Sequence, residues 1–315
     1  MRLKECVLGS KSGRGTTRTR LKVGKGYDAQ EAQSREGVRR VGGSKSGRGT
    51  ARVVGVVGRV GHPGPVEVMA EIWRRATSVQ PAPPPAIIAA AAAVSLILVT
   101  LPSIWPYTRM LVTITHEGSH AAAAVLTGRR LRGIRLHSDT SGITVSSGRP
   151  SGAGMVIMLV AGYLGPAVVG LGAVALLLTG HSLGLLWLFV ILLALLLLQI
   201  RNFHGFLVVL CCGMALVAIS WYLPATAQST LGYLLTWILL IASPKPVLEL
   251  IASRRRGRAR HSDADQLSRL TRIPGATWAL LFLIMNSAGL IFGTWLLLPA
   301  LFEAAFSAGQ VLLAD

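Results

Sequence analysis

Cysteine is nearly absent from this chain, with 3 residues in 315, at Cys6, Cys211 and Cys212. The adjacent pair lies in an apolar run and reads as packed thiols. So few and so placed, the cysteines exclude a disulfide framework and a Cys-based zinc site. Acidic residues are also scarce, 13 against 32 Lys and Arg, and all charged residues together make up only 14% of the chain. That shortage excludes an ordinary soluble surface. What fills the space is apolar: 51% hydrophobic residues and a mean hydropathy of +0.54. Such a profile belongs to an integral membrane protein. The net charge of +19 resembles a nucleic-acid signature. However, the basic residues lie in an N-terminal tail and in short connections between apolar runs, which fits membrane topology, and no specific nucleic-acid partner is expected.

Histidine is sparse as well, 7 in all, yet two fall in Thr115-His116-Glu117-Gly118-Ser119-His120, inside the apolar stretch Thr108–Leu126. On a helix, residues four apart project from one face, so two imidazoles there can share one Zn²⁺. Glu117 follows the first ligand and can take a proton from water without binding the ion. Two histidines and a glutamate in a spanning run cost about 2–3 kcal/mol or more per charge unless paired, which makes them functional by default.

Residues 1–68 are rich in Gly, Arg, Lys and Ser and lack any apolar periodicity. They contain a near repeat, Gly9-Ser-Lys-Ser-Gly-Arg-Gly-Thr16 and Gly43-Ser-Lys-Ser-Gly-Arg-Gly-Thr50, which does not match a P-loop. Two readings stand: a disordered basic tail that touches anionic lipid or nucleic acid, and sequence upstream of a true start at Met69. Residues 69–85 form a cytoplasmic lead-in ending in Pro81-Ala-Pro-Pro-Pro85, and residues 86–300 form the membrane-embedded domain, with a basic cytoplasmic loop at 253–274 and a tail at 301–315.

Apolar runs predict about seven spans: Ala86–Trp105, Thr108–Leu126, Gly152–Thr179, Leu183–Ile200, Phe206–Leu223, Gln228–Ser243 and Ala276–Leu298. Between the second and third, Ile134, Leu136, Ile143 and Val145 alternate with polar residues around Ser138-Asp-Thr-Ser-Gly142, the pattern of a β-hairpin. His137 and Asp139 near its tip read first as turn residues. Gly162-Tyr-Leu-Gly-Pro166 reads as a kink or packing notch, and Ser262-Asp-Ala-Asp265 as a helix cap. The fold expected is therefore all-α and polytopic, with a small hairpin insert after the histidine helix. Arg74, Arg75, Arg129, Arg130, Arg132, Arg201 and the run Arg254–Arg260 fall on one side if the spans alternate. By the positive-inside rule that side, and the N-terminus, are cytoplasmic. The histidine pair then lies roughly 12 Å below the cytoplasmic face.

These residues together resemble the site-2 protease family of membrane-embedded zinc metalloproteases, in its compact bacterial M50B-like branch. The resemblance rests on His116-Glu-Gly-Ser-His120 in a span, the β-like stretch after Gly128, Gly162-Tyr-Leu-Gly-Pro166, and Ser262-Asp-Ala-Asp-Gln-Leu267 followed by Leu270-Thr-Arg-Ile-Pro274. It implies a Zn²⁺ cofactor on His116 and His120, Glu117 as catalytic base, and a substrate that is a membrane-spanning segment of another protein in the cell membrane. The family's third ligand is an Asp in a Leu-Asp-Gly motif, absent here. The counterpart is Asn202-Phe-His-Gly205, which points to His204 as third ligand, with Asn202 a substrate-positioning residue. Asp139 is the other candidate, as ligand or as substrate-positioning residue. The alternative function is a pseudoprotease or membrane scaffold of the same fold. A transporter fits less well, since no inverted repeat is evident.

Overall fold

The computed structural model describes residues 64–257 and 262–299. The N-terminal tail up to residue 63, most of the second half of the basic run at 258–261, and the C-terminal tail lie outside the described residues. The described chain is mostly helical, with one two-stranded antiparallel hairpin, β1 (Arg130–Leu136) and β2 (Gly142–Ser147). The helices are α1 (Pro65–Thr77), α2 (Pro85–Thr100), α3 (Trp105–Leu126), α4 (Ala153–Leu178), α5 (Ser182–Leu197), α6 (Phe203–Tyr222), α7 (Ala225–Ala242), α8 (Pro244–Arg255), α9 (Asp263–Thr271) and α10 (Gly275–Leu297).

The expected count of seven spans is not met. Among the described residues four helices are long and apolar enough to cross a bilayer: α4, α6, the continuous α7–α8 rod and α10. A fifth arises only if α2 and α3 count as one span, and they are bent by 101° at their junction. The difference lies in α2, α3 and α5: α3 carries Arg109, His116, Glu117 and His120 and falls short in hydropathy, and the other two fall short in length. α2 and α5 have 16 residues each. At ~1.5 Å per residue that is about 24 Å, short of a hydrocarbon core of about 30 Å. The α2 run stops where Pro102 interrupts it. One boundary shifts without altering the count, because Pro244-Lys-Pro246 does not end a span. Ser243 keeps helical angles, φ −59° and ψ −37°, and the two prolines fall in the first turn of α8, where a missing N–H is harmless. The rod Ala225–Arg255 therefore runs on for 31 residues to the arginines.

The bend between α2 and α3 is held from several sides. Thr108 Oγ1 donates to the Leu98 carbonyl at 3.2 Å, Trp105 Nε1 donates to Glu249 Oε1 at 2.7 Å, and Lys245 donates to the Val99 carbonyl. α4 is the central helix, packed against α3, α7, α9 and α10. One core gathers Val174, Leu177, Trp237 and Leu240; a second gathers Leu159, Leu267, Ala279 and Phe282.

In the hairpin Ile134 and Leu136 are fully buried against Ile114 and Ala121 of α3 and Val209 of α6. Ile143 and Val145, expected on the same face, are exposed. Ile134 pairs with Thr144, so the inward position of β2 is taken by a threonine with a partner on α3. The outer edge of β1 is already occupied. Ile134 N–H donates to the Gln199 carbonyl at 2.8 Å and Arg201 N–H to the Ile134 carbonyl at 2.9 Å, a short parallel bridge.

Leu240 tests this packing. It is fully buried, and Gly170 and Gly293 both owe their lack of a side chain to it, since a Cβ at either would lie within 2.9 Å of its methyl groups. Leu240→Ala should lower stability by about 2–5 kcal/mol, read as a fall in midpoint of thermal or denaturant unfolding in detergent, with metal content of the remaining folded protein unchanged.

Candidate metal centre

α3 carries His116, Glu117 and His120 at its middle, and three elements close on them from different sides. α4 approaches the histidine face. A Cβ on Gly162 would lie 2.3 Å from His120 Nε2 and 2.8 Å from His116 Nε2, and one on Gly165 would lie 2.0 Å from Ser119 Oγ. The glycines of the Gly-x-x-Gly-Pro stretch are therefore the notch that admits α3, and Gly162 leaves open the space beside both imidazole nitrogens. Met158 on the same helix accepts from His120 Nδ1 at 2.7 Å. With the proton held there, His120 Nε2 presents a lone pair. The Tyr163 ring meets His116 edge to face, 4.9 Å between centroids, and stacks on Phe282 at 5.1 Å.

The third side is α9. Its first residue, Asp263, brings Oδ2 to 3.4 Å from His116 Nε2 and 3.2 Å from His120 Nε2, and the two nitrogens are 3.1 Å apart. Three donor atoms on one small triangle are a possible metal-binding group. Burial alone would raise the Asp263 carboxyl. When the two Nε2 atoms carry protons, their hydrogen bonds outweigh that and hold it below the usual carboxylate range; when they do not, both nitrogens are donors toward a cation.

The hairpin covers Glu117. Thr144 Oγ1 donates to Glu117 Oε2 at 2.5 Å and approaches the Glu117 carbonyl at 3.2 Å. Gly142 sits so close that a Cβ there would lie 2.5 Å from Glu117 Cγ. Glu117 is 3% exposed and bonds no arginine or lysine among the described residues. It is thus oriented by a hydroxyl and stays free to act on a proton.

Of the residues singled out in the sequence, the structure brings together His116, His120 and, beside them, Glu117. It does not bring His204 to them, and the third donor is Asp263 instead. The reason lies in Asn202. Its Oδ1 accepts from Leu136 N–H at 3.1 Å and its Nδ2 donates to the Leu136 carbonyl at 2.6 Å, so it fastens the start of α6 to strand β1. That strand packs on Ile114 and Ala121, a different side of α3 from His116 and His120. His204 Nε2 is buried without a hydrogen-bond partner among the described residues, outside the donor triangle. Asn202 is spent on the same fastening. Asp139 is exposed at the hairpin tip and is not a donor either. Its carboxylate accepts from Ser141 Oγ at 2.6 Å and Ser141 N–H at 3.0 Å, and these bonds hold it below its ordinary range.

The sequence offers Asp263 as part of a cap and of the stretch Ser262–Leu267 that carries part of the family resemblance, and not as a ligand. A signal was nonetheless there. A capping box uses the N-cap residue and the third helical position, here Ser262 and Asp265, and leaves the first helical carboxylate unassigned.

The donor set fits a divalent ion of the zinc type. With bonds of about 2.0–2.1 Å, donors at two corners of a tetrahedron lie about 3.3–3.4 Å apart. The three observed separations, 3.1, 3.2 and 3.4 Å, are of that size. Two imidazole nitrogens and a carboxylate oxygen also suit zinc chemically. Crowding three lone-pair-bearing atoms is repulsive unless a metal cation or shared protons lie between them. Gly162→Ala would put a methyl group into that space and should lower metal affinity at least tenfold, measured by chelator competition on the purified protein. Gly172→Ala, where a Cβ meets nothing within 4 Å, should leave it unchanged.

A family model described as Peptidase M50B-like matches residues 87–293, about two thirds of the chain, a range that contains both histidines, Glu117 and Asp263. No curated protein and no solved structure matches the chain.

Proposed function

The chain belongs to the Peptidase M50B-like family, and on that premise we propose that it is a membrane-embedded zinc endopeptidase that cuts peptide bonds in or near membrane-spanning segments of other proteins. The observation that carries the reading is the convergence of His116, His120 and Asp263 beside a buried Glu117. The three residues would hold Zn²⁺, which supplies Lewis acidity towards the scissile carbonyl and makes water a nucleophile near neutral pH. Glu117 takes the proton from the attacking water and then delivers it to the departing amide nitrogen. The Thr144 hydroxyl keeps that carboxylate aimed during both transfers. Met158, through its carbonyl, keeps the proton of His120 on the far ring nitrogen.

A helical substrate must unwind before its backbone can reach such a centre. The hairpin offers a template for the extended strand through edge addition. Since Gln199 to Arg201 already pair with β1, the edge for a substrate is the outer side of β2, which runs past Glu117. The basic groups at Arg74, Arg75, Arg129, Arg130, Arg132 and at the end of the α7–α8 rod flank apolar helices and support a cell-membrane location. On four or five spans they no longer all fall on one side, so the expected cytoplasmic N-terminus is not carried by them.

The alternative, an inactive scaffold of the same fold, drew on the absent Leu-Asp-Gly motif. Asp263 supplies a carboxylate from another part of the chain, which removes that motive. Glu117→Gln separates the two readings. It should keep one metal per chain and lower hydrolysis of a model transmembrane substrate by about 10²–10⁴-fold. Equal hydrolysis by wild type and variant would take Glu117 out of the mechanism, and no hydrolysis by the zinc-loaded wild type with any transmembrane substrate tried would favour the scaffold.

A further inference from the structure

Two of the three donors are built into a spanning helix, but Asp263 is not. It comes from α9, a helix of nine residues outside the spans. Helices this short are marginal in isolation, so its position must be set by contacts made elsewhere. Apolar packing supplies part of it: Ala264 and Leu267 are fully buried against Leu159 of α4 and Phe282 of α10. That contact holds one face of α9 without specifying the position of its first residue.

The remaining contacts converge on one arginine. Asp265 uses its two oxygens for different purposes. Oδ2 closes the cap, accepting from Ser262 Oγ at 2.8 Å and Ser262 N–H at 3.2 Å, while the Asp265 N–H donates to Ser262 Oγ at 3.3 Å. Oδ1 accepts from Arg254 Nη1 across the gap to α8. Arg254 lies in the last turn of the long α7–α8 rod, so the contact ties α9 to a stiff element. α10 makes room for it. A Cβ on Gly275, the first residue of α10, would lie 2.7 Å from Arg254 Nη2 and 3.0 Å from the Ala264 carbonyl. The ends of three helices thus meet at one guanidinium, two residues along from the donor carboxylate. The side chains of the pair are 24% and 19% exposed. The pair is therefore screened less than an open surface ion pair, whose worth is small. The cap does not need Arg254, because Ser262 and Asp265 close it between themselves.

We propose that Arg254 is a positioning residue for the metal centre: by gripping Asp265 it fixes the first turn of α9 and so delivers Asp263 to His116 and His120. The proposal rests on the metal reading of the site. It makes ion affinity depend on the junction of α8, α9 and α10, a place at the ends of two spans that does not touch the ion.

The test uses the full chain purified in detergent, with Zn²⁺ affinity read by competition with a chromophoric chelator and folding checked by circular dichroism. Arg254→Gln should weaken affinity by about 10–100-fold, the range for outer-shell partners, while helix content is kept. Arg254→Lys, which retains a cation but not the fork, should recover part of the loss. The decisive variant is Arg254→Gln combined with Asp263→Ala. If Arg254 acts only through Asp263, the pair should bind no more weakly than Asp263→Ala alone. Wild-type affinity in Arg254→Gln, or an equal further loss in the Asp263→Ala background, overturns the proposal while leaving the metal site intact. Wild-type affinity in Asp263→Ala overturns the assignment of Asp263 itself and this proposal with it. Should Arg254→Gln lose helix content, Arg254→Lys and its combination with Asp263→Ala decide the matter by the same comparison.

Discussion

Lone pairs crowded into an apolar interior govern this molecule. Two imidazole nitrogens and a carboxylate oxygen lie within 3.4 Å of one another, with a glutamate on the next residue of the same helix. In water such a cluster would simply fly apart into solvation shells. Between packed helices it cannot, and an uncompensated arrangement would cost several kcal/mol. A cation among the donors turns that cost into binding energy. The surrounding fold can be understood as what is required to hold the donors at that spacing.

Each neighbouring element contributes by coming unusually close. α4 reaches α3 because Gly162 and Gly165 carry no side chain where the histidines and Ser119 stand. The hairpin reaches Glu117 because Gly142 has none either, and its Thr144 supplies the hydroxyl that aims the carboxylate. α9 arrives from outside the spans and is fixed by an arginine at the end of a 31-residue rod. Close backbone approach between helices is the common way of packing in membranes, where small residues substitute for the missing hydrophobic drive. Here the same device also leaves open the space beside the donor triangle.

Much of the site is legible in the sequence, and for physical reasons. His116 and His120 are four residues apart, and helix geometry alone places them on one face. The alternation around Ser138–Gly142 announces a hairpin because strand side chains have a period of two. The glycines before Pro166 announce close approach. Less was readable where a residue's role depends on what packs beside it. Asn202 and His204 looked like part of a ligand motif. Their neighbourhood is set by hydrogen bonds to Leu136, more than sixty residues earlier, and these hold the start of α6 against β1 on another side of α3. The span count failed for a related reason. Hydropathy registers apolar length, but not the 101° bend after α2; it also misplaces the end of the helix that passes through Pro244 and Pro246 without stopping, which alters a boundary and not the count.

The sequence by itself determined the membrane class, the histidine pair with its glutamate, and the hairpin, since each depends on composition or on spacing within one element. Tertiary structure alone decided the third donor. Asp263 is separated from His120 by 143 positions along the chain, and no local periodicity connects them. Only the docking of α9 on α4 and α10, with Arg254 holding its first turn, brings that carboxylate to the imidazoles. Contacts between distant segments follow from how surfaces fit, and surface fit is not written in any single stretch of chain.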